Sequence, residues 1–465
     1  MSLTVCICHQ RRELLQGDKV GVSGMSINRG DIYQKELDFL ISSSYGPGRY
    51  DKNYEEKGLD YPYSYVRWTE NRNMSEYLRL VYEGKLKLNN MISKIYPIEE
   101  VTEAFDSLLS PENKSLMVIL DYGKIDDNIL DIHKNIFRKV EINTKIISNK
   151  AIVKIALIGA GGFATGVHLP NILKLSDKFS LHAVVDKIGS NAKAVAQQFK
   201  GVYSTTDVEE IIKDKEIDLV MITTRHDSHA QLTLKFLQAG KHVFVEKPLA
   251  VNKEEIDKIS EFYKNNSETE KPILMVGFNR RFSKYATEIK KHTSKRINPL
   301  FINYKMNANY IPLDHWVHEH GGRIIGEACH IIDLMTYFTE STIESINYES
   351  LTPKTEKYSF HDNKSIILKY FDGSICIINY FSVGNKEYPK EIMEIHFDEK
   401  TIIMNDYKTL KGYGVKVDNL TSQVSNKGHY EELLALHNSI SNKESNWPIN
   451  LSELIETTYI ATEII

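Results

Sequence analysis

Cysteine is scarce in this 465-residue chain, with four in all. Cys6, Cys8, Cys329 and Cys376 lack the paired spacing of a zinc site or a disulfide framework, so no metal centre and a reducing compartment are expected. Positive charge is not in excess either. The 58 Lys and Arg stand against 62 Asp and Glu, a formal net charge of −4. With nothing left over to neutralise phosphates, neither nucleic acid nor an anionic membrane is an expected partner. Long apolar runs are missing as well. Nowhere do 18 apolar residues stand together, and Met1 to Leu15 shows no basic leader followed by an apolar run of signal-peptide length. The expected location is the cytoplasm.

What is present is the balance of a globular protein, 42% hydrophobic and 26% charged residues, with length for roughly three domains. From Ile152 onward short β-rich runs (Val153 to Ile158, Leu181 to Val185, Asp218 to Thr223, His242 to Glu246 and Ile273 to Gly277) alternate with helical patterns. That alternation predicts a parallel sheet wound with helices. After about Arg281 the pattern changes. Ser365 to Phe371 and Ser374 to Phe381 flank the turn pair Asp372-Gly373, and Glu391 to Phe397 and Thr401 to Met404 read as further strands of an antiparallel sheet. Helical spacing of apolar residues recurs over Tyr430 to Ser441 and Leu451 to Ile464. The expected fold is α/β: a Rossmann-type doubly wound sheet over 150–280, then an α+β domain with a mostly antiparallel sheet over 281–465. A front region over 1–145 ends in a polar linker, Asn143 to Lys150.

The sharpest motif lies a third of the way along. In Lys154-Ile-Ala-Leu-Ile-Gly-Ala-Gly-Gly-Phe-Ala164, Gly159, Gly161 and Ala164 satisfy G-x-G-x-x-[GA] directly after a strand and at the head of a helix. Small residues there allow a tight turn and close approach of backbone to a pyrophosphate, which the helix N-terminus attracts. The next strand ends at Asp186, placed to accept hydrogen bonds from ribose hydroxyls and to repel a 2′-phosphate, so NAD is favoured and NADP is the alternative, with Lys187 beside it.

Further along, Thr223-Thr-Arg-His-Asp-Ser-His229, Gly240-Lys-His-Val-Phe-Val-Glu-Lys-Pro248, Gly277-Phe-Asn-Arg-Arg-Phe282 and Gly326-Glu-Ala-Cys-His-Ile-Ile-Asp333 follow in order. With Gly159 to Pro170 and its His168, this series resembles the Gfo/Idh/MocA oxidoreductases of sugars and inositols from Lys154 to the C-terminus. The resemblance implies a catalytic lysine at Lys247, beside the nicotinamide. A partly desolvated lysine suits removal of a hydroxyl proton. It implies a second group at His330, to share proton transfer or bind a sugar hydroxyl, for which a buried histidine bonded within its helix is the plain alternative. Relatives carry Asp four residues before that histidine. Here Gly326 holds that place and Glu327 follows it, so Glu327 is the carboxylate candidate. Many relatives have Pro where Arg225 stands. The cofactor set is Gly159, Gly161, Gly162, Phe163, Ala164, Asp186, Thr223, Thr224, His229, Glu246 and Lys247, and no metal ligand is expected. His229, with His226, either lines the cofactor cleft or, for His229, caps a helix. Arg280 and Arg281 either approach substrate or form interdomain salt bridges. Tyr304 to Tyr310 and Asp314 to His318 mix rings and amides as a sugar-binding surface or an oligomer interface does.

Residues 12–120 resemble the closing portion of zinc-type medium-chain alcohol dehydrogenases, through Gly17-Asp-Lys-Val-Gly21, Tyr33-Gln-Lys-Glu-Leu37, Ser42-Ser-Ser-Tyr-Gly-Pro-Gly-Arg49 and Ile98-Glu-Glu-Val-Thr-Glu-Ala104. No zinc-ligand set or earlier glycine fingerprint accompanies them. A truncated remnant fused ahead of the oxidoreductase is the expectation, with exposed edges and apolar surface. The whole reads as an NAD(P)-dependent dehydrogenase acting on a CH–OH group of a sugar, cyclitol or nucleotide sugar, and as a homo-oligomer. The alternatives are a non-catalytic nucleotide-binding regulator and an assembly scaffold.

Overall fold

The structure is a computed structural model, and it describes residues 46–109, 117–122, 138–143, 152–265, 271–318, 322–442 and 447–464. Cys6, Cys8, Gly17 to Gly21, Tyr33 to Leu37 and most of the linker 144–150 lie outside the described residues. The chain divides into two compact units, 1–135 and 136–465.

In the first unit, strand β1 (Ile92–Pro97), the helix Val101–Leu109 and strand β2 (Met117–Asp121) form a parallel pair with a helical crossover. Two strands cover little. Ile95, on β1, and Phe105, on the helix, stay 57% and 60% exposed, so apolar surface is left open, as expected of a partial sheet.

The second unit holds two seven-stranded sheets. The first contains β3 (Lys139–Glu141), β4 (Val153–Ile158), β5 (Phe179–Val185), β6 (Tyr203–Thr205), β7 (Leu219–Ile222), β8 (His242–Val245) and β9 (Leu274–Val276), in the order β3-β6-β5-β4-β7-β8-β9. β4 to β9 run parallel and β3 pairs antiparallel on the edge. Helices cover both faces, which is why β7 is buried along its whole length and reads as a continuous apolar run. Neither β6 nor β3 is visible as a strand in the sequence pattern. Both are three residues long and, as Tyr-Ser-Thr and Lys-Val-Glu, lack the apolar run that marks the equally short β9.

The second sheet contains β10 (Phe301–Asn307), β11 (Ile343–Ser350), β12 (Asn363–Tyr370), β13 (Ile375–Phe381), β14 (Glu391–Phe397), β15 (Lys400–Asn405) and β16 (Thr409–Tyr413), in the order β11-β12-β13-β10-β14-β15-β16. Only the β10–β13 pair is parallel. Cys376, Ile378 and Tyr380 alternate inward along β13, part of the same core as the helix Cys329–Thr339. The Asp372-Gly373 turn closes the β12–β13 hairpin with Gly373 at φ +91°, a left-handed angle that favours glycine.

Two expectations change, and one open choice is decided. Tyr304 to Asn307 is not a loop surface but the end of central strand β10, where the Tyr304 ring is fully buried. The helix His429–Ser441, grouped by sequence with the second sheet, buries Leu433 and Leu436 in the core of the first sheet. Of their two readings, Arg280 and Arg281 show the salt bridges. Arg280 forks onto Glu391 at 2.7 and 3.1 Å, and Arg281 onto Asp333 at 2.7 and 2.9 Å with Glu453 at 2.8 Å, all inside the protein. Among the described residues, no helix is long and apolar enough to cross a membrane.

Candidate active site

The strand order reverses direction of growth at β4, and the carboxyl ends of β4 and β7 open a crevice there. Gly159 follows β4 at φ +90°, and a Cβ on it would lie 2.9 Å from the Thr224 methyl and 3.0 Å from the Thr223 carbonyl. Thr223 Oγ1 in turn donates to the Gly159 carbonyl at 2.6 Å, tying the end of β7 to the glycine turn. Gly161 and Gly162, by contrast, have no atom within 4 Å of where a Cβ would stand. Two bare glycines beside open space at the start of a helix fit the approach of a pyrophosphate. Ala164 is buried against the sheet, and the Phe163 ring, 45% exposed, meets His168 and His429 edge-on.

Asp186 accepts from the amides of Ala160 and Ile188, both at 2.9 Å, and from Asn191 Nδ2 at 3.1 Å. Asn191 also reaches the Ala160 carbonyl at 3.2 Å, so it braces the carboxylate and the glycine turn together. A carboxylate offers about four acceptor positions, which leaves room for one ribose hydroxyl. Sequence reasoning found Asp186 and missed Asn191, whose only signal is its place five residues on.

At the end of β8, Lys247 precedes Pro248 across a cis peptide bond, and its Nζ donates to the Gly326 carbonyl at 2.7 Å. Glu246 beside it points inward, bonded to His168 Nε2 at 2.7 Å and to the Lys247 amide at 3.3 Å. Burial works to raise this carboxyl, but the His168 hydrogen bond and the charges of His168 and Lys247 outweigh it, so Glu246 stays ionised below its usual range. Gly277 leaves the room it needs, since a Cβ there would stand 3.0 Å from Glu246 Oε1. Glu246 therefore lies beneath the crevice floor rather than in it. His229 does the same: fully buried, it places Nδ1 2.7 Å from the Pro248 carbonyl and Nε2 3.1 Å from the Thr224 carbonyl, so its nitrogens hold protein and are not turned to a cofactor.

The second sheet brings the other half. A π-helical turn, Ile324–Ala328, leads into the helix Cys329–Thr339 and carries Gly326 and Glu327, with His330 one turn on. His330 Nδ1 is buried with no protein hydrogen-bond partner, and burial together with the charges of Arg280 and Lys247 keeps the ring neutral far below the ordinary histidine range. Glu327 is turned the other way. It accepts from Tyr380 Oη at 2.6 Å on β13, with Arg323 at 3.6 Å, so it does not stand at position 326, where the resemblance implies a carboxylate. What stands there is His226, whose ring tip would lie 2.8 Å from a Cβ on residue 326. Burial first and Lys247 second lower His226 to about 3, and burial lowers His429 to about 4. The structure thus gathers Lys247, His330 and the glycine turn around one crevice. Tyr380 and His429 join them with no sequence signal beyond alternation and helical period.

Residues 153–278 match the family model described as oxidoreductase family, NAD-binding Rossmann fold, GFO_IDH_MocA. This stretch is similar to the Gfo/Idh/MocA oxidoreductases. The chain is accordingly an NAD-binding oxidoreductase with a Rossmann sheet and a second, mostly antiparallel sheet. It is 27% identical to a myo-inositol 2-dehydrogenase of Thermotoga maritima over 49% of this chain and 68% of that protein. It is 26% identical to an NAD(+)-dependent scyllo-inositol 2-dehydrogenase of Bacillus subtilis over 48% of this chain and 65% of that protein. In structure it is similar to levoglucosan dehydrogenase in complex with NADH, with a TM-score of 0.57 at 20% identity, covering 67% of this chain and 95% of that one.

Proposed function

We propose that this Gfo/Idh/MocA oxidoreductase moves a hydride between NAD and a hydroxyl-bearing carbon of a cyclitol or sugar, nucleotide sugars included, with Lys247 as the acid/base. The observation that carries the reading is the hydrogen bond from Lys247, at the end of β8, to Gly326, one turn before His330. When bound, NAD supplies the hydride acceptor. Gly161, Gly162 and the helix start after them would hold its pyrophosphate, and Asp186 its ribose. Lys247 Nζ spends one N–H on Gly326, and in its neutral form the lone pair is left to take the proton of a substrate hydroxyl. His330, neutral and with Nδ1 unpaired by protein, offers a position for a second hydroxyl. Relatives named for inositols support the substrate class, and a neutral polyol needs no counter-charge. Phe163, Thr223 and Thr224 line the cofactor side, with His229, Glu246 and Asn191 holding the crevice in shape. Glu327 we assign to shaping the substrate side through Tyr380.

We take 150–280 as the cofactor domain and 281–465 as the substrate and oligomerisation domain, with the helix His429–Ser441 shared back to the first. For the front region, the parallel β1–helix–β2 unit supports kinship with a medium-chain dehydrogenase. The test is NADH appearance at 340 nm with myo-inositol, scyllo-inositol, free hexoses and UDP-sugars, comparing wild type with Lys247→Ala. Turnover by the wild type and at least a ~100-fold loss in the variant, with NADH binding retained, is expected. Equal rates in both, or no turnover with any of them, would sink the reading.

A further inference from the structure

His226 begins the short 3₁₀ turn His226–Ser228 after β7, at the carboxyl end of the parallel sheet. The turn is pinned from both sides. Ser228 Oγ donates to the Arg225 carbonyl at 2.9 Å and pairs with the Thr224 hydroxyl at 2.7 Å. Behind it, the locked His229 ring meets the His226 ring edge-on at 5.9 Å. The His226 side chain therefore has a fixed base and leaves the first sheet toward the π-helical turn Ile324–Ala328, against Gly326.

Gly326 does not have a positive φ, so its backbone does not call for glycine. Space does. A Cβ at this position would stand 2.8 Å from His226 Cε1 and 3.6 Å from both ring nitrogens, with no other atom as close. The ring fills the notch where a side chain would be. The carbonyl of the same residue is the acceptor for Lys247 Nζ at 2.7 Å. Ring, glycine backbone and lysine amine thus form one continuous contact across the crevice, from β7 to the π-turn and back to the end of β8.

We propose that His226 is a positioning residue for Lys247: its ring, seated in the notch left by Gly326, fixes the carbonyl that holds the lysine amine. The proposal rests on the reading of Lys247 as the acid/base. A ring entering the notch from one side requires a side chain at residue 326 to be absent. Displacing a reacting amine by about 1 Å costs on the order of 100-fold in rate, so a contact this tight controls chemistry without touching the substrate.

The experiment uses full-length protein and three variants, His226→Ala, Gly326→Ala and the double variant. Two quantities are measured: kcat on the substrate found above, and acetylation of Lys247 by limiting acetic anhydride relative to other lysines, read by peptide mass spectrometry. His226→Ala removes the ring and Gly326→Ala pushes it away. Each is expected to raise Lys247 acetylation by about threefold or more and to lower kcat by about tenfold or more, with NADH affinity held within about twofold. In the double variant the new methyl occupies the vacated notch, and both readings should move back toward wild type. A merely structural role for the ring gives losses that multiply. Unchanged acetylation in His226→Ala, or a double variant worse than either single, overturns the proposal. If Gly326→Ala fails to fold, His226→Ala, which only removes atoms, decides on acetylation alone. That labelling needs no substrate, so it separates a failure of this inference from a failure of the sugar reading.

Discussion

The two halves of the crevice are built by different means. On the cofactor side the work is done by backbone: a glycine at φ +90°, two glycines facing open space and a helix start, all within six residues. On the substrate side it is done by side chains from distant parts of the chain. Glu391 on β14 holds Arg280, 111 residues before it, Tyr304 at 2.5 Å on β10, and Lys427. Backbone recognition of a phosphate is local, and it tolerates few sequences. A side-chain pocket is assembled through the fold, and many sequences would serve.

Removing Glu391 tests this difference most severely. It is fully buried, and Arg280 and Lys427 overcome the effect of burial to hold it ionised. Glu391→Ala leaves a buried guanidinium without its partner and should cost about 3–5 kcal/mol in urea unfolding. NADH affinity in the fraction still folded should hardly change. Acid comes next. His226 at about 3 and His429 at about 4 stay neutral in the folded protein, while the unfolded chain takes up protons near the ordinary histidine value of about 6.5. Their folded values lie below the unfolded one, so their contribution is present above about pH 6.5 and is lost as pH falls toward 4. Each histidine should cost about 1.4 kcal/mol per pH unit through that window, and urea midpoints measured from pH 7 to 4.5 check it. A midpoint that rises on acidification contradicts the assignment.

Smaller changes belong to the cofactor side. Gly159→Ala places a Cβ 2.9 Å from Thr224 at a left-handed φ and should cost about 1–2 kcal/mol, with NADH fluorescence titration showing weakened binding. Asp186→Ser removes the charge that repels a 2′-phosphate. The ratio of NADP to NAD affinity should rise by about tenfold, or about 1.4 kcal/mol, by the same titration.

How much could be read in advance follows the same division. The Gly159 to Ala164 pattern and Asp186 were legible because a strand, a glycine turn and a second strand lie close in sequence, whereas Lys247 was reached through the resemblance. The buried parallel strands were legible as apolar runs, while β3 and β6 carry no such run. The second sheet was legible as hairpins but not as a site. Tyr304 looked like a sugar-binding ring and is a core residue bonded to Glu391. Glu327 looked like the missing carboxylate and is turned to Tyr380. His226 looked like a cleft residue of uncertain use, because its partner, Gly326, lies 100 residues away on the π-helical turn. Arg280 and Arg281 were ambiguous for the same reason: only the fold supplies Glu391 and Asp333.

The central claim is that Lys247, held at Gly326, carries the proton of a polyol hydroxyl beside NAD. A single-turnover stopped-flow measurement tests it most directly, with enzyme in excess over the polyol identified by turnover and NAD saturating, in wild type and Lys247→Ala. The account predicts that the NADH burst slows by about 100-fold or more in the variant while the dissociation constant for NADH stays within about twofold. A burst of equal rate in the two proteins would contradict it.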